Sequence, residues 1–393
     1  MFSNLPAPVQ DPILSLSQAS RLDQRDTKVD LGIGVYKNSD GVTPVMQSVL
    51  QAQNIVLQQQ TTKAYVGMAG DEEFNAAALS LVLPDSAIAQ RATSIQTPGA
   101  SGGLRMLAEL IAFSHPNATV WLSNPSYVNH QPVMEAAGLK VKHYRYFDVK
   151  TKQVDTAAML DDLAKVKAKD VVLLHGCCHN PTGADLSPEA WKQVTELAHK
   201  QGFLPFIDIA YQGFGDGLEQ DAFGVRYMAE HLPELLVTSS CSKNFGLYRE
   251  RTGSAIIVAK NGTHAANARG KVLQISRTSY TMPPAHGASI VKTILLDNDL
   301  KAAWFNELEQ MRLRLVSLRH NLCLELEKRT QTNDFDFIKQ HKGMFSVLGY
   351  TSEQMIRLRE EFAVYGVNDG RINIAGLREQ DLNYVASAIA KVR

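Results

Sequence analysis

The 393-residue sequence has no surplus of charge, with 40 Lys and Arg against 40 Asp and Glu. A chain without net charge sets up no long-range field toward nucleic acid or an anionic bilayer, and neither is an expected partner. Cysteine is scarce: four residues are too few for a disulfide framework in so long a chain. Cys177 and Cys178 are adjacent, which would strain a bond between them, so reduced thiols are expected. No apolar run approaches the roughly 18 residues of a membrane span. The opening Met1-Phe2-Ser3-Asn4-Leu5-Pro6 lacks the basic patch and apolar stretch of a leader, so the expected location is the cytoplasm.

Three cofactor motifs are missing or incomplete. His175-Gly176-Cys177-Cys178-His179 crowds metal-binding residue types together, yet no second ligand pair follows at finger spacing, and no metal is expected. Gly32-Ile33-Gly34 and Gly213-Phe214-Gly215-Asp216-Gly217 lack the full dinucleotide spacing, which disfavours a nicotinamide enzyme. The turn Gln96-Thr97-Pro98-Gly99-Ala100-Ser101-Gly102-Gly103 has no Gly-Lys-Ser/Thr ending and is not a nucleotide P-loop.

What is present is an ordinary globular composition, 45% hydrophobic and 20% charged, in a chain long enough for roughly two domains. Short apolar runs at 119–122, 171–175, 204–207, 235–239 and 255–259 read as buried parallel strands. Helical patterns lie between several of them. The clearest starts at Ser187-Pro188-Glu189, with an N-cap and a first-turn proline, and stops at Gly202. Alternation of this kind predicts an α/β sheet covered by helices on both faces. After Asp297 a long helix is expected, from Ala302 to about Lys328, with a second, smaller domain beginning along it. Strand-like pieces at 343–348 and 371–375 and helices at 352–365 and 379–392 make up the tail, and Pro6, Pro8 and Pro12 give the first residues the look of an extended arm.

Open α/β sheets bind ligands at the carboxyl ends of their strands, so polar residues after the apolar runs are the candidates. One run leads into Asp208 and Tyr211, another into His175 and Asn180-Pro181-Thr182-Gly183, and a third into Ser239-Ser240-Cys241-Ser242-Lys243. The Gly/Ser turn at 96–103, feeding a helical pattern, offers free backbone N–H groups, a hydroxyl and a helix dipole to a phosphate. Lys243 fits a Schiff-base lysine if desolvation and nearby cations lower its pKa; Arg251 is eight residues on. On spacing alone a surface lysine, and a turn-capping Asp208, stay open.

Asn180-Pro181-Thr182-Gly183, Asp208-Ile209-Ala210-Tyr211-Gln212-Gly213-Phe214, the stretch from Ser239 to Arg251, and Pro283-Pro284-Ala285-His286-Gly287 together resemble the class I aspartate and aromatic aminotransferases. The likeness runs from Asp11-Pro12-Ile13-Leu14 to Gly370-Arg371-Ile372-Asn373. It implies the fold-type-I pyridoxal-phosphate architecture, a large domain with a mostly parallel seven-stranded sheet plus a smaller α+β domain. It divides the chain into an arm (1–12), a large cofactor domain (44–310) and a small domain assembled from 13–43 and 311–393.

The resemblance also implies roles. Lys243 holds the cofactor as a Schiff base and moves the substrate's Cα proton. Asp208 pairs with the pyridine nitrogen, with His130 behind it, and Tyr211 and Asn180 bond the ring's phenolic oxygen. Ala100, Ser101, Ser240 and Arg251 hold the phosphate, joined by Tyr65 of a second subunit, in a homodimer with shared active sites. Arg371 takes the substrate's α-carboxylate. Arg277, from the partner chain, takes an acidic side chain, and Gly34, Tyr127, Asn180 and Met282 complete the substrate site.

Three positions depart from the aspartate enzymes: Tyr127 replaces the usual ring-stacking Trp, Met282 an Asn, and Ser101 a Thr. A smaller stacking face, a soft apolar contact and a lost methyl lean toward aromatic donors, with 2-oxoglutarate as acceptor. The expected activity is transfer of an amino group from an aromatic, and also an acidic, L-amino acid to a 2-oxo acid. An aspartate aminotransferase is the alternative, and behind it a pyridoxal-phosphate lyase, decarboxylase or cofactor-binding regulator.

Overall fold

The computed structural model describes Phe2, Leu5 and residues 12–393; the expected N-terminal arm falls almost wholly outside the described residues. Seven strands form the principal sheet: β1 (Ala92–Pro98), β2 (Thr119–Asn124), β3 (Lys140–Arg145), β4 (Val171–His175), β5 (Leu204–Ile209), β6 (Leu235–Ser240) and β7 (Thr252–Val258). Their order across the sheet is β1-β7-β6-β5-β4-β2-β3. All neighbours from β6 to β3 run parallel. The run at 255–259, expected as a parallel strand, instead belongs to β7, which is antiparallel to both its neighbours. The reason is the connection. Only residues 241–251 separate β6 from β7, whereas a parallel return needs a crossover of about a dozen residues or more, usually helical.

Two strands, β1 and β3, carry no apolar run. β3 is one edge of the sheet, opposite β1, and its exposed lysines and arginine guard that edge against unwanted pairing. β1 is polar yet buried: the Gln96 amide donates to the Pro284 carbonyl at 2.8 Å and accepts the Asp71 N–H at 3.1 Å.

Alternation along the strands sorts the interior into two cores. Val171, Leu173, Phe206 and Leu236 pack with helix α1 (Gly99–Ser114) on one face. Val172, Leu174, Ile207 and Val237 face the other core, which also takes in helix α3 (Pro188–Gln201) beyond the short helix α2 (His130–Ala136). Each large aliphatic or aromatic side chain so buried contributes about 1.5–3 kcal/mol. The signals at both ends of α3 act as read: Ser187 accepts the Ala190 N–H at 3.1 Å, and Gly202 closes the helix at φ +74°.

Helix α4 (Gly262–Ser279) leads toward helix α5 (Asn298–Thr330), a single helix capped by Asp297. Its Leu308, Met311, Leu315, Leu318 and Leu322 are all buried, as their spacing predicts. The expected division at 310/311 falls inside it. The tail forms small sheets rather than one: β8 (Phe345–Val347) pairs antiparallel with β9 (Arg371–Asn373), with Val347 opposite Arg371. Separately, Val29–Asp30 runs parallel to Val364–Tyr365. No helix among the described residues is long and apolar enough to cross a membrane.

Candidate active site

The register of the parallel strands places His175 opposite Asp208 and Asp208 opposite Thr238, at the carboxyl ends of β4, β5 and β6. One cleft opens there, lined by Gly34, Ala100, Ser101, Tyr127, Asn180, Asp208, Tyr211, Ser240, Lys243, Arg251 and Arg371 among others. These are eleven of the sequence-predicted site residues, drawn from widely separated segments.

Asp208 is buried, and both of its oxygens are engaged. His130 Nε2 donates to Oδ2 at 3.0 Å, and the Thr238 hydroxyl donates to Oδ1 at 3.2 Å. Burial alone would raise its pKa, but His130, His175 and Lys243 outweigh that and hold the carboxyl below its ordinary value. Behind His130 the Ser126 hydroxyl lies 2.9 Å from His130 Nδ1 and 3.3 Å from His175 Nε2. His175 Nδ1 in turn faces the Asn180 N–H, which can only donate. One proton arrangement satisfies the chain. His175 donates to Ser126, Ser126 to His130, and His130 to Asp208. Burial drops His175 to a pKa of about 3, which keeps it neutral as this arrangement requires.

Lys243 sits in the loop after β6, its Nζ 4.6 Å from the centre of the Tyr211 ring. Burial and, to a lesser degree, Arg251 lower its pKa against the pull of Asp208, to about 8. An amine with that pKa is available as a nucleophile and a base near neutral pH. Burial drives Tyr211 the other way, well above a free phenol, so it donates a hydrogen bond rather than carrying charge.

At the other end of the cleft, the Gly/Ser turn expected to precede a helix is itself the first turn of α1. Pro98 provides no side-chain cap, so the first N–H groups have no intrahelical acceptor, and Ala100 and Ser101 face the cleft. Gly99 (φ +69°) matters because a Cβ there would come within 2.7 Å of the Arg251 guanidinium. Arg251 donates to the Tyr248 carbonyl at 3.1 Å and approaches the Ser242 hydroxyl at 3.5 Å.

Arg371 extends from β9, buried, with Nη2 donating to the Gly32 carbonyl at 3.0 Å and Nη1 lying 3.4 Å from Asn180 Oδ1. Its guanidinium stacks over Phe345 at 4.6 Å. Tyr127 meets the His130 ring edge-on at 5.3 Å.

Four predicted residues do not line the cleft of this chain: His130 is buried behind Asp208, and three others lie away from it. Tyr65 is 89% exposed, Arg277 stands exposed in the last turn of α4, and Met282 lies just beyond it, half-buried. Conversely, Thr238, Ser126, Tyr248 and Phe345 belong to the site and were given no role from sequence, and His175 was a candidate by position alone. His175 ends an apolar run and Thr238 sits within one, but only strand register shows that both flank Asp208.

The cysteine cluster is built differently. Cys177 and Cys178 lie beside Asp221, but burial raises both thiols, Cys178 to about 12. The Asp221 carboxylate already accepts N–H bonds from Gly213, Gly215 and Asp216. These groups hold the loop rather than offering lone pairs to a cation.

The cleft's donor set suits a phosphorylated cationic heterocycle. Its lining offers a helix N-terminus, hydroxyls and a guanidinium suited to a dianion, together with an ionised carboxylate and an amine. Residues 26–389 match the family Aminotransferase class I and II. The chain belongs to that family. Enzymes of this aminotransferase family depend on pyridoxal phosphate, and the cleft has the groups to hold it. The chain is 45% identical over 392 residues, covering 100% of both chains, to the aromatic-amino-acid aminotransferase of Paracoccus denitrificans. It is 44% identical over 395 residues, again 100% of both, to the aspartate aminotransferase of Escherichia coli. A solved aromatic-amino-acid aminotransferase from Burkholderia pseudomallei, covalently bound to pyridoxal phosphate, superposes with a TM-score of 0.97 at 39% identity, covering 100% of this chain and 99% of the other.

Proposed function

We propose that this aminotransferase moves the amino group of an aromatic, and also an acidic, L-amino acid to 2-oxoglutarate in a ping-pong cycle. The observation that carries the reading is that Lys243, Asp208, Arg251, the first residues of α1 and Arg371 all line one cleft. Bound pyridoxal phosphate supplies an aldehyde that takes an amine and a ring that accepts an electron pair.

Lys243 Nζ holds the cofactor, gives way to the substrate amine, and then carries the proton to and from the substrate's Cα. Asp208, held ionised chiefly by His130, would pair with the ring nitrogen and keep it protonated. Tyr211 and Asn180 donate to the ring's oxygen. Ala100, Ser101, Ser240 and Arg251 grip the phosphate, and Arg371 receives the α-carboxylate, where its fork matches two oxygens. The smaller domain, 13–43 and 311–393, carries Gly34 and Arg371 to the substrate.

In this reading the active unit is a homodimer in the cytoplasm. Tyr65 and Arg277, exposed on this chain, reach a second copy's cleft, Tyr65 to the phosphate and Arg277 to an acidic side chain, with Met282 beside it. The aromatic preference is supported by Tyr127, Leu104, Ile13 and Phe345 on the cleft wall and by the Paracoccus denitrificans relative. Arg277 and the Escherichia coli relative favour the second reading, an aspartate enzyme. A donor panel of Phe, Tyr, Trp and Asp with 2-oxoglutarate decides between them. A kcat/KM for aspartate far above that for phenylalanine contradicts the aromatic reading.

A further inference from the structure

Arg319 is buried in α5, 3% exposed, and its hydrogen bonds go to neutral acceptors. Nη1 donates to the Ile338 carbonyl at 3.1 Å and the Ser346 hydroxyl at 2.7 Å; Nη2 donates to the carbonyls of Lys342, Gly343 and Phe345 at 3.1, 2.7 and 2.7 Å. Burial lowers its pKa to about 10, so it stays charged at neutral pH. A buried cation without a bonded carboxylate is costly, and a Met or Leu would fill the same space without that cost. What an apolar side chain lacks is a planar fork of donors able to bind several carbonyls at once.

The clamped segment, 338–346, is also tied by His341 to the Lys152 carbonyl, by Lys342 to Asp216 and by the Ile374 N–H to the Met344 carbonyl, but Arg319 is the one side chain that gathers four of its carbonyls at once. Its strand β8 is three residues long and pairs only with β9. Yet this segment touches two parts of the active site. The Phe345 ring lies 4.6 Å from the Arg371 guanidinium, meets the Tyr211 ring edge-on at 6.2 Å, and packs on Gly34, where a Cβ would come within 2.7 Å of it. On its other side the Lys342 N–H donates to the Gly183 carbonyl at 2.7 Å. A Cβ on Gly183 would run into the Phe345 carbonyl oxygen, one of those that Arg319 holds. Gly183 closes the turn that carries Asn180, which in turn faces Arg371.

We propose that Arg319 is a positioning residue for substrate recognition: by clamping 338–346 it fixes Phe345 and the Asn180 turn around Arg371, and so sets the geometry in which the substrate's carboxylate is received. This rests on the reading of Arg371 as the carboxylate's partner. Arg319 itself touches neither substrate nor cofactor. Its loss therefore acts first on carboxylate binding and reaches Lys243 only through Phe345 and Tyr211.

The test uses the holoenzyme and 3-phenylpropionate, a carboxylate with no amine to react. Arg319→Lys keeps the charge but cannot reach the same acceptors. It is expected to raise the dissociation constant for 3-phenylpropionate and the KM for phenylalanine about tenfold, the effect of losing roughly one charge-assisted hydrogen bond. The kcat changes by a smaller factor than the KM, because Lys243 and Asp208 keep their own contacts. Phe345→Leu produces a similar KM rise, and adding Arg319→Lys to it increases the effect little, because both act through one contact. Ser346→Ala removes a single acceptor and shifts KM in the same direction by a smaller factor. Lower thermal stability with unchanged KM and inhibitor binding overturns the proposal, as does an Arg319→Lys chain that fails to fold together with a kinetically silent Ser346→Ala. Failure of 3-phenylpropionate to compete with phenylalanine in the wild type sinks the Arg371 reading instead, and this proposal with it.

Discussion

The two ends of the active site are built to different degrees within one chain. At the cofactor end, Asp208 has partners for both carboxylate oxygens, Lys243 has its pKa lowered by burial, and α1 points an uncapped N-terminus at Arg251. At the substrate's side-chain end, Arg277 and Tyr65 stand out in solvent, and the only cations lining the cleft among the described residues are Lys243, Arg251 and Arg371, each already given a role. The difference separates what a single fold can organise, a dry constellation held by strand register, from what in our account a second copy must supply. In that account chemistry and aromatic preference belong to the chain, and the recognition of acidic side chains to the assembly.

The largest blow to the first half is Lys243→Ala. It removes both the anchor and the proton carrier, and is expected to lower kcat on the order of 10⁴-fold for every donor, measured by steady-state production of the oxo acid. Asp208→Ala leaves His130 and Thr238 facing a void. Breaking a buried pair of this kind costs about 3–5 kcal/mol, or roughly 10²–10⁴-fold if it falls wholly on kcat/KM, again irrespective of donor. Uniform losses at these positions keep the comparison intact; a donor-dependent loss breaks it.

The second half predicts the opposite pattern. Arg277→Ala should lower kcat/KM for aspartate by about 10²-fold and leave phenylalanine within a few-fold, which a two-substrate comparison reads directly. Tyr127→Trp and Met282→Asn, alone, are expected to shift the aromatic-to-acidic ratio by about tenfold or less toward aspartate. If neither moves the ratio, the cleft-wall account of aromatic preference is wrong.

The smallest effect concerns pH. With a pKa near 8, the Lys243 amine becomes uncharged as pH rises through that value, so recombination of the cofactor-free protein with pyridoxal phosphate should accelerate up to about pH 8 and then level. Asp208→Asn removes the charge that raises this pKa and moves the midpoint down. Arg251→Ala removes one that lowers it and moves the midpoint up. A midpoint near the ordinary lysine value contradicts the burial argument.

Sequence made the apolar strands and the motifs that follow them legible, and with them the cofactor end of the site. It hid β1 and β3, because an edge strand can be charged and a covered strand can satisfy Gln96 with hydrogen bonds instead of burying apolar surface. It misled on β7, whose direction is decided by the length of a connection rather than by composition. Thr238, Ser126 and His175 were invisible as a set, since their relation to Asp208 exists only in register. Arg319 read as one more basic residue on a long helix. Its significance lies in the carbonyls of a segment some twenty residues away.

The claim that one chain owns the chemistry and its partner completes the selectivity is tested most directly by mixing Lys243→Ala chains with Arg277→Ala chains and assaying aspartate with 2-oxoglutarate. Each variant alone is expected to be nearly inactive on this pair. In a mixed dimer, one cleft combines an intact Lys243 with the neighbour's intact Arg277, so random re-assembly should restore about a quarter of wild-type activity. Verified mixed dimers that recover none of it would contradict the account.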